Sequence, residues 1–372
     1  MGADVPEPTE QETAPPPETS ARLALSARIP VRKIVLVGLS LVLTVAVVSG
    51  SWSTISEGTF SGNQWKAFIV AGLSTGSLYA LIALGYTLVY GILFIINFAH
   101  GEVFMAGAFA SFFVARDLSQ SGFLNDNPIV AIFVLLLLAG GVSAGIALLL
   151  ERVAYRPLRG SPRLVPLITA IGASLFLQYT FRGLFGPQTR GYAEISILSG
   201  RVNIFGVSIL KTQLMAIVGA ALLMGGLYYF VNRTRTGRAM RAVGEDREIA
   251  SLMGIDVDRT IVTTFGIGGV LAGAAGVLWA LNFGQVSFQM GFIPGIKAFT
   301  AAVLGGIGSI TGAALGGLLV GLLEAVAPPL LLGGAGVRSL FQLQDLVAFS
   351  ILVLVLIFRP SGLLGSAEQE KV

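Results

Sequence analysis

AFIVAGLSTGSLYALIALGYTLVYGILFIINFAHG, residues 67–101, runs for 35 residues without an Asp, Glu, Lys or Arg. As one helix it would be roughly 50 Å long, against a hydrocarbon core of about 30 Å. The next uncharged run, Val103–Ala115, has 13 residues and is too short to cross. Both anomalies vanish if one helix ends near Tyr90, another starts near Asn97, and the join lies inside the protein. Backbone leaves its helix at membrane depth only where protein buries it or a wet cavity adjoins it.

Composition agrees. Hydrophobic residues make up 54% and charged residues 12% of the 372, and mean hydropathy is +0.81. A soluble domain needs a more charged surface, so the chain belongs to the membrane class, with the lipid bilayer as its solvent. The 48 glycines suit helices that approach closely in lipid. The net charge of +4 makes no case for nucleic acid, because the arginines cluster in loops beside apolar runs. There is no cysteine and one histidine, which leaves no disulfide and no basis for a metal centre.

Working outward, residues 1–33 begin with an acidic, proline-rich stretch that cannot bury a core and reads as a disordered tail. Residues 34–51 read as an added N-terminal span, 65–364 as the main transmembrane domain, and 365–372 as a short tail. Further spans are expected at Ile129–Leu150, Leu164–Phe181, Thr212–Asn232, about 260–282, and Leu346–Phe358. Arginines at 152, 156, 159 and 163, and six more between 233 and 259, mark two cytoplasmic loops. By that rule the N-terminus is cytoplasmic and 183–210 is periplasmic. Lys297–Glu324, broken by GGIGSITG at 305–312, reads as two part-helices with a turn between them; a single span would move the C-terminus to the other side. The fold class is all-α, a polytopic bundle of about eight to nine segments with broken or re-entrant helices.

GILFIINFAHGEVFMA (91–106) aligns without gaps on GVLWALNFGQVSFQMG (276–291). The entering helices run in opposite senses by this topology, the signature of an inverted repeat whose interface houses a transport path. Shared apolar composition is the alternative. Asn97, His100 and Glu102, with Asn282 and Gln285 from the second copy, are the candidate path residues, because ionisable groups at membrane depth default to function. Asn97 is a natural N-cap for a half-helix aimed into the bundle; capping at the membrane interface without touching solute is the other reading. Glycine pairs at 72/76, 141/145, 312/316 and 317/321 suit packing within the chain, with a subunit interface as the lesser reading for 312–321. Lys297 reads as interfacial, its stem snorkelling to headgroups.

The loop 233–259 is a charged island between apolar runs. Glu245 and Asp246 favour the positive end of a helix dipole, Gly254 suits a left-handed turn, and Ile249, Leu252 and Met253 share one apolar face. Glu248 and Ala250 complete EIASLMG (248–254), the E-x-A-x-x-x-G spacing of the loop that ABC-importer permeases dock onto their ATPases. Alone, the same loop would be a basic topology marker. The five lysines lack any G-x-x-x-x-G-K-[ST] context, so the chain is not its own P-loop ATPase.

GSLYALIALGYTLVYG (76–91), INFAHGE (96–102), ERVAYRPLR (151–159), TAIG (169–172), GRAMR (237–241), 246–258 and KAFTAAVLGGIGSITG (297–312) together resemble the permease subunits of branched-chain amino-acid ABC importers. The resemblance implies a non-enzymatic, inner-membrane subunit working with a second permease subunit, cytoplasmic ATPases and an extracytoplasmic solute-binding protein. It also implies that residues 245–254 form the coupling loop, and that ATP and Mg are used by the partners while this chain binds no cofactor. Urea and short-chain amide importers use similar permeases and stand as the alternative solute class. A secondary transporter would need more membrane-embedded carboxylates and no docking loop. An enzyme would need a nucleophile or metal constellation that the chain lacks.

Overall fold

The charge-free runs are helices in the computed structural model, which describes residues 31–162, 164–204, 206–335, 340–359 and 361–364. The acidic stretch 1–30 and the tail 365–372 lie outside them. The chain order is α1 (Val31–Ser56), α2 (Gly62–Leu93), α3 (His100–Gln120), α4 (Pro128–Leu150), α5 (Leu164–Phe185), α6 (Lys211–Arg233), α7 (Arg235–Glu245), α8 (Arg247–Leu252), α9 (Val257–Phe283), α10 (Phe292–Gly305), α11 (Ile310–Leu332) and α12 (Gln344–Phe358). Six of these (α2, α4, α5, α6, α9 and α11) are long and apolar enough to cross a membrane alone. With α1 and α3 the long helices among the described residues number eight. At 14 and 15 residues, α10 and α12 reach only about 21–23 Å and are part-spans.

The 35-residue anomaly resolves as expected. Ser61 caps the start of α2 through Gln64, and Phe94 ends it. Phe94 has φ 55°, the left-handed region that costs a side chain with Cβ about 1–2 kcal/mol. Residues 94–99 are irregular, and α3 starts at His100. The second break is also real. Gly306 (φ 102°) and Gly308 (φ 97°) turn the chain between α10 and α11, so 297–324 is not one span.

Cross-packing of two antiparallel units builds the core. The first comprises α2, α3 and α4, the second α9, α10 and α11. Each opening helix packs on the closing helix of the other unit, α2 on α11 and α9 on α4. A Cβ on Gly76 would lie 2.9 Å from the Gly317 carbonyl oxygen, and one on Gly72 2.9 Å from Leu322 Cα, so the α2–α11 crossing depends on glycine. Ile92 near the end of α2 meets the 233–259 loop, whereas Gly284, just after α9, accepts from the Tyr192 amide at 2.8 Å on the opposite face. The two units are therefore inverted. Their register differs from the ungapped sequence alignment. The left-handed residues Phe94 and Gly284 are 190 positions apart, whereas Gly91 and Gly276 are 185 apart (284 − 94 against 276 − 91). Uniform apolar composition hides such a five-residue slip.

Towards the outside, α4, α5 and α6 present Ile129, Phe133, Phe176 and Leu222. Gly141 and Gly145 also face outward, with no atom within 4 Å of an added Cβ, so this pair does not serve packing inside the chain. The ladder 312–321 does. On the face opposite the 233–259 loop, β2 (Arg201–Ile204) and β3 (Val207–Leu210) form a hairpin, and β1 (Arg190–Gly191) pairs with β4 (Gln285–Val286). The last described residues lie on the 233–259 side, where the Leu363 and Leu364 amides donate to the Leu304 and Gly305 carbonyls at 2.8 and 3.0 Å. They complete the C-terminus of α10.

Candidate functional site

At the first break, Asn97 is not the N-cap; that position is Ala99, which offers no side-chain acceptor. Asn97 Oδ1 instead accepts from the Tyr155 hydroxyl at 2.6 Å, tying the break to the 151–159 loop. His100 packs edge-on to Tyr86 with ring centroids 5.0 Å apart, in space that Gly85 and Gly268 leave open. Its Nε2 has no hydrogen-bond partner among the described residues. Glu102 Oε1 accepts from Ser174 Oγ at 3.3 Å, while Oε2 is also without a partner.

Here the two inverted units meet. An added Cβ on Gly101 would fall 3.2 Å from Gly295 Cα, and one on Gly291 would fall 2.9 Å from Glu102 Cδ. The N-terminal ends of α3 and α10 therefore abut, with the Glu102 carboxyl between them. Both ends carry partial positive charge, so the junction suits an anionic group, although the His100 and Phe292 amides are themselves bonded to the Asn97 and Gln289 carbonyls at 3.1 and 3.2 Å. Sequence reasoning named Asn97, His100 and Glu102 but missed Tyr86, Tyr155 and Ser174. The only signal was a hydroxyl within an apolar run for Tyr86 and Ser174, and Tyr155 lies between arginines in ERVAYRPLR (151–159).

Asn282 and Gln285 are elsewhere. Asn282 Oδ1 accepts from Ser74 Oγ at 3.2 Å and borders a cavity of about 330 Å³ with Tyr192 and Glu194. Gln285 pairs with Gly191 in the β1–β4 ladder and is exposed. The five candidate path residues thus form two groups, one at the central junction and one toward the face opposite the 233–259 loop.

The loop 233–259 holds two helices, not one. Glu245 is the last residue of α7 and directly precedes Asp246, which caps α8 by accepting from the Glu248 and Ile249 amides at 2.9 and 3.0 Å. Ala250 is buried against the bundle. Ile249, Leu252 and Met253 are 59, 86 and 78% exposed. Gly254 follows with φ 82°, turning the chain toward α9. Arg247 fixes the other end: its Nε and Nη2 donate to the Ile92 carbonyl at 3.1 and 2.6 Å. Burial, and after it the charge of Arg159, lower its pKa from the usual arginine value. Beside it, Arg159 pairs with Glu151 and Asp258, and Arg156 reaches Asp258 at 2.6 Å, clamping the 151–159 turn onto α9.

Lys297 is not interfacial. It is 5% exposed, and Nζ lies 2.6 Å from both Glu324 Oε1 and Asp345 Oδ1. Its partners are 27 and 48 residues away (324 − 297 and 345 − 297), beyond the reach of local sequence reading.

Inverted units, a polar junction within an apolar bundle and an apolar helix held outside it define a polytopic transport permease. The family described as the branched-chain amino acid transport system permease component matches residues 68–356, and the chain belongs to it. The permease protein BraD of Pseudomonas aeruginosa is 46% identical over 311 residues, 82% of this chain and 97% of that one. LivH of Escherichia coli K12 is 43% identical over 314 residues, 81% of this chain and 96% of its own length. LivH of Methanocaldococcus jannaschii is 26% identical over 315 residues, with 81 and 92% covered.

Proposed function

We propose that this chain is the membrane-spanning permease subunit of an ABC importer of the bacterial inner membrane, carrying branched-chain amino acids inward. The exposed apolar face of α8 carries this reading. Three large apolar side chains in water are unfavourable unless a partner covers them, and a short helix with a few apolar anchors fits the groove of a soluble subunit. That partner is the ATPase, which binds ATP and Mg. The 233–259 and 151–163 loops and both termini then face the cytoplasm, and 183–210 faces the extracytoplasmic solute-binding protein. A second permease subunit completes the pathway, and α4, α5 and α6 meet lipid. BraD and LivH carry branched-chain amino acid names, so the urea and short-chain amide alternative is not favoured.

Arg247 links docking to the junction. It bridges the first turn of α8 and the last turn of α2, two residues before the strained Phe94. A displacement of α8 by its partner pulls on the α2–α3 break, and with it Asn97 and His100. Reconstitution with the ATPase subunits and the binding protein tests the reading. Leucine uptake is expected only with ATP and the matching binding protein; uptake driven by an ion gradient without ATP would refute it.

A further inference from the structure

The 151–159 turn offers a second line from the 233–259 side to the α2–α3 break. Pro157 has no amide for the Val153 carbonyl, so α4 cannot simply continue through it. Instead the Arg156 amide donates to the Glu151 carbonyl five residues back (156 − 151), which makes a π turn. Turns of this kind are rare and frequently lie at functional sites. Glu151 and Tyr155, its first and last residues, are both buried. The Tyr155 ring lies against Phe265 of α9, centroids 5.6 Å apart, and its hydroxyl donates to Asn97 Oδ1 at 2.6 Å. The Asn97 carbonyl in turn accepts from the His100 amide at 3.1 Å, where α3 begins.

The other end of the turn is tied to the docking region. Glu151 pairs with Arg159, Arg159 with Asp258, and Arg156 with Asp258 at 2.6 Å. Asp258 lies in the first turn of α9, four residues after Gly254 (258 − 254). The Ile255 amide bonds back to the Ala250 carbonyl of α8 at 3.1 Å, so a displacement of α8 carries the start of α9 with it. We propose that Tyr155 is a positioning residue for transport, holding the far side of the break while Arg247 holds the near side. Ile92 and Asn97 are five residues apart (97 − 92), with the left-handed Phe94 between them. A segment held at one side is only carried along. Held at both sides, it changes shape when the two holds move differently. The assignment rests on the transport reading above, and adds a residue outside the 233–259 loop through which docking reaches the junction.

In proteoliposomes holding the full permease–ATPase complex and its binding protein, Tyr155→Phe should lower leucine moved per ATP hydrolysed about tenfold, because a buried acceptor loses its partner. Phe265→Leu disturbs the packing of the same ring but keeps the bond, so it should lower heat stability and leave the ratio within about twofold of wild type. A ratio that falls as far in F265L as in Y155F would make Tyr155 a packing residue only. The double variant Y155F/R247M should also lose about tenfold, because a break that needs both holds is disabled by losing one. A loss near a hundredfold would mean two independent links and overturn the two-sided arrangement. The chain has no cysteine, so Ile95→Cys places a single thiol in the break. Its maleimide labelling rate should differ between resting and ATP–vanadate-trapped complex, and the difference should vanish when Y155F is added. Persistence of the difference in Y155F overturns the assignment. Wild-type complex separates the two ideas. If it moves no leucine with ATP, the transport reading fails; if it does and Y155F keeps the wild-type ratio, the Tyr155 assignment alone fails.

Discussion

Replacing Arg247 by methionine removes the connection between the docking helix and the α2–α3 break while keeping an unbranched apolar stem. The Ile92 carbonyl is among the last four of α2 and has no intrahelical partner, so the guanidinium supplies its hydrogen bonds at 3.1 and 2.6 Å. A bond to a charged group contributes about 1.5–3 kcal/mol. Arg247 is only half-buried, so water can replace part of that, and the lower end applies. About 1.5 kcal/mol is roughly a tenfold loss in the population of the anchored loop. Arginine stays cationic throughout the neutral range even with its pKa lowered by burial, so the loss should be the same at about pH 6 and pH 8. The α8 face is untouched, so the ATPases should still copurify. In proteoliposomes, leucine moved per ATP hydrolysed should fall about tenfold in R247M, with partial recovery in Arg247→Lys, which cannot reproduce the fork. An unchanged coupling ratio in R247M would refute the link; loss of the ATPases would place Arg247 in docking instead.

Leu252→Asp should leave permease abundance near wild type but strip the ATPases from the purified complex, since it charges the most exposed of the three apolar side chains. Gly254→Val meets no atom within 4 Å, so its cost is the backbone strain of about 1 kcal/mol, and uptake should fall without loss of insertion; full uptake would remove the turn from the coupling role. Cysteines at Ser161 and Ser251 should resist an impermeant thiol reagent in intact cells, and labelling from outside would invert the proposed orientation. Gly101→Val drives Cβ into the Gly291 carbonyl oxygen and to 3.2 Å from Gly295 Cα, so the backbone must shift, an overpacking of at least about 1–3 kcal/mol that immunoblotting should register as reduced abundance.

The α2–α3 break was legible because length and charge together forbid a 35-residue span, and the α10–α11 turn because four glycines cluster there. The apolar face of α8 followed from spacing. What failed was anything set by distant partners. Asn97 has the chemistry of an N-cap, but a tyrosine 58 residues later takes its oxygen. Lys297 looked like an interfacial lysine because Glu324 and Asp345 meet it only after three helices pack. Helix direction was readable and helix register was not, since a slide of five residues changes little in an all-apolar pattern. Gly141 and Gly145 had the same spacing as the packed pairs, and only the fold shows which face of α4 they occupy.

Cross-packing also dictates a sequence of events during synthesis. Helix α2 emerges early, yet its glycine groove waits for α11, whose last residue is 239 positions after Leu93 (332 − 93). At about 5–20 residues per second, the first unit spends roughly ten to fifty seconds in the bilayer without its mate. Through that interval Lys297, Glu324 and Asp345 cannot all have met, and the insertion machinery must shelter whichever charges have arrived. A nonsense codon after Phe358 would still let every long helix insert. The translated product would lack the two amide groups of Leu363 and Leu364, leaving α10 unfinished and exposing the chain to quality-control proteolysis.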